Sequence, residues 1–386
     1  MKEYPTMKEV IGKYNHQKWK ETEIERKTKA EKVDLLSKNR TPFCYLLNQE
    51  VLKLISHLEN ERGFLLSLKL PKSFAEKLTE NNINHEAYYS SRIEGAVTSL
   101  EAAMLNLKKP KKKYADESLQ MIINNKNALQ YIYQQKNKNL THALILKLQE
   151  ILVFNTHKTQ SITVGAYRKG PIYVVDGMGR VVYEGPAAAA VYEMMQKFID
   201  WINQENVLHP LIKAALVHLY FVHIHPFDDG NGRSARALSN LYLANQNYQF
   251  INFLSPSNYF DHHRSEYYQS IRDAEEHQYD ATYFIIYFLK ALSKQLAAVK
   301  ADIQREEKVQ DIKNILNEKK YLQLNPRQIK ALNLMLNTPQ IMTTKKYCKI
   351  NRCSDETARK DFNGLVDLKV ISPSGQGRSV KYILVK

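Results

Sequence analysis

Residues 225–236 read HPFDDGNGRSAR, placing a histidine, two adjacent acids, a Gly-Asn-Gly and two arginines within one short stretch. His225 changes charge near neutral pH, which suits a general base. Asp229 is a hard oxygen ligand for a divalent cation. Gly230 and Gly232 permit tight backbone conformations and close approach of a ligand. The residues that follow, RSARALSNLYLAN, resume a three-and-four apolar spacing. Gly230, Asn231 and Gly232 therefore fall at a helix N-terminus, where free N–H groups and the helix dipole favour an anion. Arg233 and Arg236, three apart, share a face of that helix. Two guanidiniums beside an anion site fit a polyphosphate better than a lone carboxylate. A nucleotide, Mg²⁺ and a base together spell phosphoryl or nucleotidyl transfer.

These groups need elements to hold them. LIKAALVHLYFVHI, ending at Ile224, is apolar enough to be a central core helix. Pro226 cannot continue it, so the chain turns after His225, and Phe227 anchors the turn in the core. His218 and His223 have no companions in that apolar helix and read as structural. Helical spacing also runs through 47–59, 117–133, 140–153, 190–202 and 209–224. PIYVVDGMGRVVYEG (171–185) breaks the pattern: two β-rich runs around a Gly-containing turn signal a β-hairpin.

The end of the chain has its own grammar. Asn325 and Pro326 read as an N-cap and first helical residue, and Ser354 as the N-cap of a later helix. Three helices followed by two short strands predict a winged helix-turn-helix over 321–386. That stretch holds twelve basic and four acidic residues, half of the chain's net charge of +16. With Arg378 in the wing, it suits DNA phosphates; a protein partner is the alternative reading. The Lys-rich KKPKKKY (108–114) reads as a solvated loop. Three cysteines are too few for a disulfide framework and suit a cytoplasmic location. Cys348 and Cys353 have no second ligand pair for zinc. No run approaches the length of a membrane span, and the N-terminus has no apolar signal core.

HPFDDGNGR, followed two residues later by Arg236, resembles the Fic-domain motif, HPFx[D/E]GN[G/K]R with a further arginine, in full. The resemblance extends over roughly 115–295. It implies a protein adenylyltransferase, moving AMP from ATP to a Ser, Thr or Tyr hydroxyl of a target protein, the chain itself included. His225 would be the base, Phe227 structural, and Asp229 the Mg²⁺ ligand. Gly230, Asn231, Gly232, Arg233, Ser234, Ala235 and Arg236 would line the triphosphate, with Arg236 nearest the γ-phosphate. Gly-Asn-Gly, where related Doc-type kinases carry Ala-Asn-Lys, favours adenylylation. The hairpin falls where the family has a flap that pins the target by strand-like pairing. It follows GAYR (165–168), which resembles the family's Gly-x-[FY]-Arg. Val174, Val175, Asp176 and Gly177 would lie near the nucleotide. Tyr267, in SEYYQSIRDA, matches a family tyrosine that approaches the nucleotide base, with Tyr268 the alternative.

SSRIEG (90–95) resembles the family's inhibitory motif, [S/T]xxxE[G/N], with Ser90, Glu94 and Gly95. Ser90 and Glu94 lie four apart, on one helical face. The resemblance implies that Glu94 pairs with Arg236 and fills the γ-phosphate position. The expected architecture is mostly α. Residues 1–114 form an N-terminal helical region with the inhibitory motif, and 115–295 a Fic-type core with a β-hairpin flap. A linker helix at 296–320 and the winged helix-turn-helix at 321–386 complete it. Alternatives are a deAMPylase, with Glu94 aligning a water, and a nucleotide-sensing transcriptional regulator acting through the winged helix. The target, homo-oligomerisation and the role of residues 1–45 stay open.

Overall fold

The computed structural model describes residue 4 and residues 16–68, 70, 72–108, 116–156, 161–175, 178–205, 207–318, 324–337, 341–375 and 380–385. Most of KKPKKKY, Asp176, Gly177 and Arg378 lie outside the described residues. The chain is mostly α-helical and divides into two compact units, Met1–Ala297 and Ala298–Lys386.

In the first unit the elements run α1 (His16–Lys29), β1 (Glu31–Leu36), β2 (Pro42–Tyr45), α2 (Gln49–Ser67), α3 (Lys72–Ile93) and α4 (Leu100–Lys108). Next come α5 (Glu117–Gln134), α6 (His142–Val153), β3 (Tyr173–Val175), β4 (Val181–Glu184), α7 (Ala188–Asn203), α8 (Pro210–Ile224) and α9 (Asn231–Asn245). A short 3₁₀ turn (Gln249–Phe253) leads to α10 (Pro256–His262), α11 (Arg264–Glu276) and α12 (Thr282–Glu318), the last running on past Ala297 into the residues of the second unit.

Helix α8 is the centre of this unit. Nearly every residue is buried on all sides, as its unbroken apolar run demands. It opens with His209, whose ring accepts from the Leu211 N–H, and Pro210 at the first turn. It closes on His225 in the left-handed conformation, φ 48°, with its N–H on Phe221 O. Helix α9 packs along α8 and also touches α3, α5 and α6. Helix α3 lies against α5 and α10, and its second half is sunk in the core.

Hairpin β3–β4 is antiparallel, with Tyr173 opposite Glu184 and Val174 opposite Tyr183. A second hairpin, β1–β2, lies in the segment that sequence left unread. Its strand EKVDLL buries alternate residues, Val33 and Leu35, the period-two signal of a half-buried strand. It braces the core: Tyr220 Oη donates to Leu36 O at 2.8 Å, and the Cys44 N–H donates to Tyr279 O at 3.0 Å.

The linker helix expected at 296–320 does not start anew there. It is the second half of α12, 37 residues long, because nothing between Thr282 and Glu318 breaks a helix.

The second unit holds α13 (Pro326–Asn337), β5 (Met342–Thr343), α14 (Thr344–Asn351), α15 (Asp355–Asp367), β6 (Ile371–Ser374) and β7 (Lys381–Leu384). The strands form one sheet in the order β5-β7-β6. Asn325 caps α13 by accepting from the Arg327 and Gln328 N–H groups, and Ser354 caps α15 by accepting from Thr357. Leu332, Met335, Tyr347, Phe362 and Leu365 fill its core.

Asp361 sits buried beside that core. It accepts from Arg327 Nε at 2.8 Å, Tyr347 Oη at 2.9 Å and Asn325 Nδ2 at 2.6 Å. Burial alone would raise its pKa; the bonds from Arg327, Tyr347 and Asn325 outweigh it and hold the carboxyl below the ordinary aspartate value. A depressed carboxyl stabilises the fold above its unfolded pKa and stops doing so as pH falls through its folded pKa. At neutral pH, Asp361→Ala is therefore expected to cost about 1–3 kcal/mol, chiefly by leaving the buried Tyr347 hydroxyl unpaired. An unchanged denaturant midpoint for this unit in the full chain would refute that.

Candidate functional site

The turn between α8 and α9 gathers the residues that the motif marks. His225 Nδ1 lies 3.1 Å from Val222 O, so Nδ1 carries the proton and donates it there. Nε2 is then the basic nitrogen. Desolvation holds the imidazole below the ordinary histidine pKa; the Val222 carbonyl, Glu94 and Asp229 push it back up, and the Arg168 cation adds to the lowering. His225 is thus a neutral base at neutral pH.

Phe227 is fully buried, as an anchor should be. Asn231 braces this turn. Its Oδ1 accepts the Phe227 N–H at 2.9 Å, and its Nδ2 donates to Phe227 O at 2.7 Å. The side chain expected to hold phosphate is therefore committed to the loop. What Asn231 offers an anion is its backbone. Gly230, φ +94°, makes the left-handed bend that starts α9, and its carbonyl takes the Ser234 N–H at 2.9 Å. The N–H groups of Asn231, Gly232 and Arg233 precede that bond and have no intrahelical acceptor. Ser234 and Ala235 are fully buried. Both residues were expected to line the triphosphate; their side chains are turned into the protein from α9.

Asp228 Oδ2 accepts from the Thr163 N–H at 2.9 Å, which ties the turn to the loop before the flap. Asp229 Oδ2 accepts from Arg233 Nη2 at 3.0 Å, and Arg233 Nη1 donates to Leu152 O at 3.1 Å. Among the described residues no cluster of three or more His, Cys, Asp or Glu could hold a metal unaided. A single carboxylate beside an anion site still fits Mg²⁺, which takes one or two carboxylates and completes its shell with phosphate and water.

Arg236 is 2% exposed and bonded through every nitrogen of its guanidinium. Its Nε donates to Ser90 Oγ at 2.8 Å and its Nη2 to Ser90 O at 3.0 Å. Nη2 also reaches Glu94 Oε1 at 2.8 Å, and Nη1 reaches Tyr267 Oη at 3.5 Å. Burial alone would lower the guanidinium's pKa; the charges of Glu94 and Tyr267 outweigh it and raise it. Ser90 is buried in α3, and Glu94 stands just past the helix end, where Gly95 at φ +101° turns the chain. The Glu94 carboxylate also lies directly over Gly232: a β-carbon there would collide with Oε1. One carboxylate thus covers both Arg236 and the start of α9.

Tyr267 was expected at the nucleotide. Its hydroxyl meets Arg236 and, at 2.8 Å, His218 Nε2. His218 is fully buried, and desolvation followed by the Arg236 cation holds its pKa well below the ordinary value. Tyr268 Oη donates to Ile93 O at 3.3 Å. Val174 and Val175 lie in β3, the latter 55% exposed.

Sequence reasoning assigned no role to two further groups. Glu86, two turns before Glu94 on α3, is buried and accepts from Ser255 Oγ at 2.9 Å and the Ser257 N–H at 3.1 Å. Nothing in the pattern of α3 marks it. Arg168 was quoted within GAYR without a role. It is 2% exposed and threaded between the flap and the catalytic turn.

Residues 139–243 match the family model described as Fic/DOC family. A protein adenylyltransferase Fic from Drosophila mojavensis is 29% identical over 249 residues, 63% of this chain and 46% of that protein. Another, from Drosophila willistoni, is 30% identical over 58% of this chain and 43% of that protein. The chain thus spans less than half the length of these curated relatives. Among solved structures, a Fic family protein from Desulfovibrio desulfuricans G20 aligns over 88% of this chain and 97% of its own, with TM-score 0.58 and 21% identity. Fic-1 from C. elegans aligns over 66% of this chain and 73% of its own, with TM-score 0.53 and 21% identity. At these identities the structures speak for the fold. With the complete motif seated at the start of α9 and the family model spanning α6 to α9, the chain carries a Fic domain and is homologous to the Fic protein adenylyltransferases.

Proposed function

We propose that this protein transfers AMP from ATP to a Ser, Thr or Tyr hydroxyl of a protein, and that Glu94 holds it inhibited. The observation that carries the proposal is the 2.8 Å contact of Arg236 Nη2 with Glu94 Oε1 beside a neutral, correctly protonated His225. In the reaction His225 Nε2 takes the proton of the target hydroxyl. The hydroxyl oxygen bonds to the α-phosphorus, the bond to the bridging oxygen breaks, and pyrophosphate leaves with that electron pair. Arg233, Arg236 and the N–H groups at the start of α9 hold the phosphates by charge and by the helix dipole. Mg²⁺, when bound, neutralises phosphate charge, and Asp229 is the carboxylate placed to hold it. Glu94 competes for Arg236 with the terminal phosphate, so ATP that binds beside it does so unproductively. Mass spectrometry of Glu94→Gly protein after incubation with Mg·ATP and lysate should find added AMP on the protein itself or on lysate proteins. Its absence from both would sink the reading.

A second partner is suggested by the second unit. Its order of helix, strand, two helices and two strands is that of a winged helix-turn-helix. Lys345, Lys349 and Arg352 form an exposed stripe at three-to-four spacing, and Arg359 and Lys360 are exposed on α15, the helix after the turn. This basic surface suits duplex phosphates. The full chain should bind a labelled DNA duplex at low salt, with affinity falling steeply as salt rises. No binding at low salt would dismiss it. Among the described residues, no helix is long and apolar enough to cross a membrane.

A further inference from the structure

Arg168 spends its guanidinium on main-chain carbonyls, and among the described residues no carboxylate is bonded to it. Nε donates to His225 O at 2.8 Å and Nη2 to Ile224 O at 3.4 Å, carbonyls at the C-terminal end of α8. A cation is favoured there, where carbonyls lack helical partners and the dipole is negative. Nη1 donates to Gly170 O at 2.8 Å and Nη2 to Pro186 O at 2.6 Å. Those two residues bracket the hairpin β3–β4, and the Gly185 N–H closes its base on Ile172 O at 3.0 Å. The Arg168 main chain adds one more tie, its N–H donating to Pro226 O at 2.9 Å. Gly185 leaves the guanidinium room: a β-carbon there would collide with the Ile172 side chain and lie 3.1 Å from Arg168 Nη2.

We propose that Arg168 is a positioning residue for the reaction: its guanidinium fixes both ends of the flap relative to His225, so that a hydroxyl laid along the flap meets the base. This rests on the reading of His225 as the base and of the hairpin as the target-binding flap. Only a planar fork can serve three directions at once; a lysine ammonium on a flexible stem cannot reproduce it. Arg168 also joins Glu94 and Asp229 as one of the charged groups acting on the imidazole, and it is the only cation of the three.

The test uses the full chain and three variants, R168K, R168Q and H225Q, the last to assign the His225 resonance. In R168K and R168Q, amide hydrogens of 172–175 and 181–185 should exchange at least about tenfold faster than in wild type. The His225 imidazole should titrate at higher pH in R168Q than in wild type, with R168K between them. A folded R168Q with wild-type flap exchange and wild-type His225 titration overturns the proposal. So does faster exchange spread evenly through α5, α8 and the flap with the titration unmoved, which is what a merely structural arginine would give. Should both variants fail to fold, the wild type still decides. The Arg168 Nε–H should exchange slowly in ¹⁵N spectra, and exchange as fast as an exposed arginine's overturns the proposal. None of these readouts uses AMP transfer. An inactive Glu94→Gly protein would therefore count against the proposed reaction and leave the Arg168 result to stand or fall by itself.

Discussion

Glu94→Gly should raise AMP transfer from Mg·ATP by between about tenfold and a hundredfold, since a charge-assisted hydrogen bond contributes about 1.5–3 kcal/mol and each 1.4 is tenfold. The sign follows from competition. Arg236 is buried and already bonded to Ser90 twice, so the substitution frees one direction of the guanidinium and leaves the rest anchored. It also clears the carboxylate from above Gly232. The increase should appear in kcat more than in the affinity for ATP, because the carboxylate blocks a productive pose rather than the whole site. Initial rates with radiolabelled ATP across a range of ATP concentrations measure both. Unchanged rates in a folded variant would refute inhibition by this residue. Glu94→Gln separates charge from bulk: it keeps the shape and removes the ion pair, so partial release is expected.

His225→Ala, introduced into the Glu94→Gly protein, should lower the rate by about two to four orders of magnitude, the span over which a general base acts. Binding of ATP should persist, because the phosphate-holding groups lie on α9, beyond the turn. The pH profile of the Glu94→Gly parent gives an independent check. A base works deprotonated, and burial lowers the imidazole's pKa. The acid limb of kcat/KM should therefore fall below the ordinary histidine value of about 6.5. Removing Glu94 takes away one anion that raises that pKa, so the limb moves further down. A limb at or above that value would contradict the buried, Nδ1-protonated histidine.

The catalytic turn was readable from sequence because its signals are local. A proline ends one helix, a positive-φ glycine starts the next, and an apolar run can only be a core helix. The hairpin β3–β4 was readable for the same reason. Pairings across long separations were not, apart from the Glu94–Arg236 contact that the motif resemblance implies. Asn231 looks like a ligand-facing amide and is a brace for Phe227; only the fold shows that its two groups are taken. Tyr267 is placed at the nucleotide by motif alone; its partners Arg236 and His218, on α9 and α8, are legible only in the fold. Glu86 is one of three glutamates on a polar-looking helix, and its burial follows from the start of α10, far along the chain. The β1–β2 hairpin was missed although Val33 and Leu35 alternate, because six residues in a polar segment are a weak signal.

The way α3 is held has a kinetic consequence. Glu86 is clasped by Ser255 and Ser257, Asn82 Nδ2 donates to Asn252 O at 3.2 Å, and Ser90 lies against Arg236. The helix that bears the SSRIEG motif is thus tied into the core, and swinging it away would break these bonds. Glu94 alone stands beyond its end, partly exposed. On the proposed inhibition the moving part is a single side chain, and rotamer changes are far faster than collective motions of helices. Activation would show no lag, no memory of the previous state and no slow step of its own. It would follow the concentration of whatever displaces the carboxylate as fast as that ligand can arrive.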